Sequence, residues 1–227
     1  VAQRIEVLRG PGTVLHGSNA IHGVINVITP AFDEPKKMDL EFGADDYQRF
    51  KLVTGSDDFS LATTLTHHDG YRDQSGFDQQ KLSLKHRYQT DVLSVITGFT
   101  ATNLNQETAG YISGEDAYKD GSLVRSNPNP EAYRDVRSTR LWSRLTYQLS
   151  EAELIVTPYL RHTKMDFLQH FLPGDPLEQN GQFSLGTQLS YHFSPADNLK
   201  LIVGTDAEYS DAYLKQSQDL PVQGFFK

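Results

Sequence analysis

The chain has 227 residues, with 29 acidic and 21 basic side chains and a net charge of −8. A mean hydropathy of −0.50, with no apolar run near the ~18 residues of a membrane helix, excludes a helical span. The absence of cysteine removes disulfides and thiolate metal sites, and the acidic balance argues against a general nucleic-acid binder.

Residues 1–30 are glycine-rich and apolar, and their only charged side chains are Arg4, Glu6 and Arg9. The pattern predicts a strand over Arg4–Arg9, a tight turn at Gly10-Pro11-Gly12, a short helical or looped stretch, and a second strand over Gly23–Ile28. Gly12 and Gly17 have the spacing of a phosphate-binding loop, but Ser18 and Asn19 stand where lysine and a hydroxyl residue are needed. A dinucleotide fingerprint fails for want of the third glycine. No initiator methionine or basic-then-apolar leader is visible, so the expectation is a piece of a longer chain. Residues 31–37 predict a linker, with Pro30 and Pro35 blocking regular structure.

From residue 38 onward the apolar residues recur with period 2. Phe183, Leu185, Thr187, Leu189, Tyr191 and Phe193 alternate with Ser184, Gly186, Gln188, Ser190, His192 and Ser194. Leu82, Leu84 and Tyr88 alternate with Lys81, Ser83, Lys85 and Arg87. Leu141, Leu145, Tyr147 and Leu149 alternate with Arg140, Trp142, Arg144 and Thr146. This is the signature of strands with one apolar and one polar face. Nine are predicted, over 38–45, 47–55, 58–69, 80–90, 91–103, 134–149, 152–165, 182–194 and 198–213. Several exceed the ~5–6 residues usual in soluble sheets and suit a tilted membrane-spanning strand.

Tight connections at 56–58, 89–91, 150–151 and 194–198 alternate with long ones at 70–79, 104–133 and 166–181. Short turns at one end and long loops at the other are the plan of an outer-membrane barrel. Phe59, Tyr88, Tyr147, Tyr191 and Phe193 fall near the short-turn ends, at the level of an aromatic girdle. The long loops carry Tyr71, Arg72, Tyr111, Tyr118, Tyr133 and Arg134, which suit recognition of a polar ligand and suit an ordinary solvated loop equally. Phe167, Phe171 and Leu172 form an apolar loop patch. No metal site is expected: of His67 and His68 only one can face the lumen, since strand neighbours point to opposite faces. His162, Asp166 and His170 form no dense cluster. No catalytic constellation can be placed, so no enzyme and no cofactor are expected.

Residues 1–30 resemble the end of the plug domain of TonB-dependent outer-membrane receptors, whose motif is an I-E-V-L-R-G-P segment followed by Y-G-x-x-A-x-G-G-V-I-N-I-I-T. Glu6, Arg9, Gly10, Pro11, Gly12, Gly17, Gly23 and Asn26 carry the match. His16 departs from the usual aromatic residue and His22 from the usual glycine. The resemblance implies an all-β antiparallel up-and-down meander, part of a barrel of about 22 strands, preceded by the end of an α+β plug. It implies domains at 1–30 (plug), 31–37 (linker) and 38–227 (barrel). It further implies a Gram-negative outer-membrane receptor that imports a scarce nutrient such as a ferric siderophore, cobalamin or haem. Its partners would be outer-membrane lipid, that ligand, and the TonB complex acting through a segment outside these residues. Arg9 is implied to make a buried ionic contact between plug and barrel wall, with Glu6 as a local candidate partner. The alternatives are a passive porin and a soluble β-sheet adhesin.

Overall fold

The computed structural model describes residues 2–13, 20–196 and 198–218. β1 (Arg4–Arg9) and β2 (Gly23–Ile28) form a two-stranded antiparallel sheet in which Arg4 lies opposite Ile28 and Arg9 opposite Gly23. The backbone N–H of Gly10 and of Gly12 donate to the carbonyls of His22 and Ala20, at 3.2 and 2.8 Å. Gly10 has φ +100°. A Cβ at Gly23 would stand 2.7 Å from the Leu8 carbonyl oxygen. Glycine is therefore the residue both positions require.

The second sheet has nine strands, each paired with its neighbours in the chain: β3 (Lys37–Phe42), β4 (Gln48–Ser56), β5 (Phe59–His68), β6 (Phe77–Gln89), β7 (Leu93–Glu107), β8 (Tyr133–Gln148), β9 (Ala152–Leu168), β10 (Leu177–Ala196) and β11 (Leu199–Ser217). The expected meander is present. Its later strands run further toward the long loops than the apolar alternation indicated; β10 begins at Leu177 and β7 ends at Glu107. The extra residues are mostly polar and lose the apolar–polar alternation, so main-chain pairing continues where the hydrophobic signal stops. The loops are correspondingly shorter, at 69–76, 108–132 and 169–176.

The register separates two faces. Leu61, Leu84, Phe99, Leu141, Leu160, Leu185 and Tyr209 form one row across seven strands. One residue along each strand, the opposite face carries Ser60, Lys85, Gly98, Trp142, Tyr159, Gly186 and Glu208. Burial is the reverse of a water-soluble sheet. Ser184 is 0% exposed and Ala62 1% on the polar face, while Leu185 is 54% and Tyr88 55% exposed on the apolar face. An apolar surface of this extent requires a nonaqueous environment. On the inner face Trp142 lies over Gly98 and Tyr159 over Gly186, occupying the space a Cβ would need.

The outward apolar band begins near Phe59, Tyr88, Tyr147 and Tyr191. It ends near Leu65, Leu82, Ala101, Leu160 and Phe183. Above it the same face carries His67, Asp78, Asn103, Arg137, Lys164 and Gln179. Tyr191 and Phe193 stack at 5.2 Å, as a headgroup-level girdle would.

β1 and β2 sit on the inner side. Ala2 and Val27 line a cavity with Tyr47, Arg49, Thr64, Thr66, Phe77, Gln79 and Lys81. The following segment is pinned to the same wall. Lys85 donates to the Pro30 carbonyl, and Phe32 lies under Lys85 at 5.1 Å and Arg87 at 4.7 Å.

Replacing Leu84 by Arg on the outward face should cost about 2–4 kcal/mol, read by urea unfolding of the protein in phospholipid vesicles. Gln188→Arg on the inner face should cost well under half of that.

Candidate functional site

The long-loop end forms a mouth built on one register row of inward-facing residues: His68, Phe77, Gln106, Arg134, Phe167, Glu178 and Gln216. Its rigidity comes from strand pairing that continues above the apolar band. Tyr47, His68 and Phe77 make successive edge contacts at 5.7 and 5.8 Å. Arg134 Nη2 donates to Gln106 Oε1 at 2.7 Å. Phe167 meets Phe171 at 5.8 Å, and His170 packs edge-on against Phe171. Glu178 accepts hydrogen bonds from Gln169, Asn180 and Gln216, at 2.9, 2.8 and 3.1 Å.

The loop at 108–132 is anchored to its neighbours by side chains. Arg72 Nε donates to the Ser126 carbonyl at 2.8 Å and Nη1 to the Gly110 carbonyl at 2.5 Å. Arg125 Nη1 donates to Asp45 at 2.9 Å and to the Tyr71 carbonyl at 3.1 Å. Its guanidinium lies 4.9 Å from the Tyr71 ring centroid, and Asp45 beside it raises its already high pKa. Asn127 Nδ2 donates to the Gln74 carbonyl, and its Oδ1 accepts from the backbone N–H of Gly110 and Asn129.

The residues singled out from sequence therefore fall into different places. Tyr111 and Tyr118 stand on the long loop, 75% and 82% exposed. Tyr71 is exposed and covered on one side by Arg125. Arg72 is spent on loop anchoring, with Nη2 buried and unpartnered among the described residues, as is Nε of Arg134. Arg134 faces the mouth. Tyr133, one residue earlier on β8, takes the opposite parity and pairs with Glu107. Arg125, Glu178 and the grouping of Arg134 with the rest of the inward row escape sequence reading, because only register reveals them. Phe167, taken as a loop residue, is the last but one residue of β9 and belongs to the row.

In the hairpin, Glu6 faces Asn26 across the sheet. Asn26 Nδ2 donates to Glu6 at 3.0 Å, and Arg4 pairs with Glu6 at 2.7 Å. The Asn26 hydrogen bond, with Arg4 beside it, lowers the Glu6 pKa. Glu6 thus pairs with Arg4, and Arg9 is exposed at the end of β1. Gly10 and Gly23 close the hairpin, Pro11 and Gly12 follow at its turn, and Gly17 lies outside the described residues.

Outside the mouth, Asp46, His67 and Asp69 place ligating atoms within 4.8 Å of one another on the outward side of the sheet. His67 Nδ1 stands 2.8 Å from Asp78 Oδ1.

An outward apolar band, a polar inner wall and a hairpin inside define a segment of a plugged transmembrane β-barrel. No protein-family model matches the chain. The Vitamin B12 transporter BtuB of Vibrio vulnificus is 35% identical over 79 residues, 34% of this chain and 13% of the transporter. The ferric yersiniabactin uptake receptor FyuA of Yersinia pestis superposes with a TM-score of 0.71 at 18% identity, covering 96% of this chain and 37% of the receptor. The ferripyoverdine receptor of the Pseudomonas aeruginosa outer membrane superposes at 0.73 and 14% identity, covering 100% of this chain and 34% of the receptor. The chain spans little more than a third of either solved structure. It has the fold of the TonB-dependent outer-membrane receptors, from the end of the plug through the first part of the barrel. These relatives are receptors and transporters, not enzymes.

Arg72→Ala should free the 108–132 loop. The expected result is at least several-fold faster tryptic cleavage after Lys119, with the strands still protected.

Proposed function

We propose that this chain is part of a receptor that imports a scarce nutrient across the outer membrane, driven by the TonB complex. The observation that carries the reading is the glycine-tight hairpin lying against the inner wall, where a passive porin would keep an aqueous channel. The similar proteins are named for vitamin B12, ferric yersiniabactin and ferripyoverdine. A ferric siderophore, cobalamin, haem or a similar compound is the cargo class by analogy. Residues 1–30 are the end of the plug, 31–37 the linker and 38–227 the first part of a barrel of about 22 strands.

The exposed rings of Tyr71, Tyr111 and Tyr118 meet the ligand first. Arg134 receives it at the mouth, and Arg72 holds the loop. Tyr133 supports the strand end from the other face. Glu6, Arg9 and the motif residues Gly10, Pro11, Gly12, Gly17, Gly23 and Asn26 keep the plug seated, with Arg9 in ionic contact between plug and barrel wall.

The test is uptake of labelled ferric siderophores, cobalamin and haem by cells carrying or lacking the gene, each with and without TonB. One compound should accumulate only when both are present. Accumulation that survives loss of TonB would instead favour a porin. Arg9→Ala should lower that transport several-fold, and unchanged transport would remove its proposed role.

A further inference from the structure

We propose that Asp46, His67 and Asp69 form a binding site for a first-row divalent transition metal of the Zn2+ type, clipping the β3–β4 turn to the end of β5. Three separate stretches converge there: the turn at 43–47, the last residues of β5, and β6 through Asp78.

His67 Nδ1 lies 2.8 Å from the Asp78 carboxylate. With the proton on Nδ1, the neutral imidazole presents its Nε2 lone pair to a metal. Nε2 faces Asp69 Oδ1 at 3.2 Å and Asp46 Oδ2 at 3.7 Å. The second distance is too long for a hydrogen bond. Ligand atoms bonded at about 2.1 Å around a tetrahedral centre lie about 3.4 Å apart, and the two separations bracket that value. Asp46 is oriented in the same manner as His67, because Gln48 Nε2 donates to its other oxygen, Oδ1, at 2.8 Å. Ligands whose remaining atoms are held by outer partners are the usual arrangement of a metal site.

Charge balance points the same way. Among the described residues no Lys or Arg forms an ion pair with Asp46, Asp69 or Asp78, whereas neighbouring Asp45 is neutralised by Arg125. The mixed nitrogen and oxygen donor set favours a transition metal over Ca2+ or Mg2+, which take oxygen ligands almost exclusively. Three protein ligands leave a fourth position for water. The metal would also fix the turn whose Asp45 anchors Arg125 of the long loop.

The test is isothermal titration of the purified protein in detergent with ZnCl2 at pH 7.5, repeated in millimolar Ca2+ and Mg2+. One saturable site is expected, unaffected by either hard cation. His67→Gln and Asp69→Asn should each weaken it at least tenfold, and Asp78→Asn about tenfold or more. Asp46→Asn lies outside the strands and leaves the sheet sequence intact, so its expected tenfold loss reports a ligand rather than unfolding. Asp57→Asn, at the opposite end of the sheet, should change nothing. The proposal falls if no saturable Zn2+ binding occurs up to a 100-fold molar excess of Zn2+ over protein. It also falls if Asp46→Asn binds as the parent does, or if Ca2+ competes equally with Zn2+.

Discussion

The interaction on which the rest depends is main-chain pairing in a medium without water. Inside a bilayer each backbone N–H and C=O must find a protein partner. A sheet meets that demand only if pairing is continuous. The nine strands therefore follow one another in sequence order, and register shifts appear only at the foot of β10, between Phe193 and Ala196. The same demand bears on the two outer strands. Among the described residues β3 pairs only with β4 and β11 only with β10, and β11 is exposed along its whole length. An edge of this kind is not tolerated in hydrocarbon, so closure must give each outer strand a neighbour.

Once pairing is fixed, the pleat leaves one freedom, which side chain faces which side. The outward positions take Leu, Val and Phe, and the inward ones take small or polar residues that fit a concave wall. Gly98 and Gly186 make room for Trp142 and Tyr159, so large rings lie flat along the wall. Above the apolar band the outward face becomes largely polar while pairing continues. The strands there act as a stalk. They carry the mouth row beyond the membrane and give the loop at 108–132 fixed points for Arg72 and Arg125. A loop of that length would otherwise lose much of its order to conformational entropy.

The period-2 pattern made the number, order and sidedness of the strands legible, because a half-apolar strand advertises itself. The upper strand ends were illegible for the same reason: Asn103, Asn105, Gln179 and Asn180 offer no contrast between faces. Parity separated His67 from His68 without coordinates. It could equally have separated Tyr133 from Arg134 had the start of β8 been known. Partnerships set by register were out of reach. Glu6 turns to Arg4 and Asn26 because β1 and β2 place positions 6 and 26 opposite each other. Arg125 reaches Asp45 across 80 residues of sequence.

The turn between β3 and β4 shows how such long-range contacts concentrate. Asp45 and Asp46 both adopt left-handed backbone, with φ of 53° and 52°, a conformation that Asp tolerates better than most residues. The Asp45 carbonyl accepts the Asp69 backbone N–H at 3.0 Å, and its carboxylate holds Arg125. Asp46 points instead to His67. Two adjacent residues thus divide the work. One ties the turn to the longest loop, and the other ties it to the end of β5. Whatever holds Asp46 in place also holds Asp45, and through Arg125 it steadies Tyr71 at the mouth. Order at the mouth therefore depends on a turn of five residues on its outer flank, where the ligand-facing side chains give no hint of it.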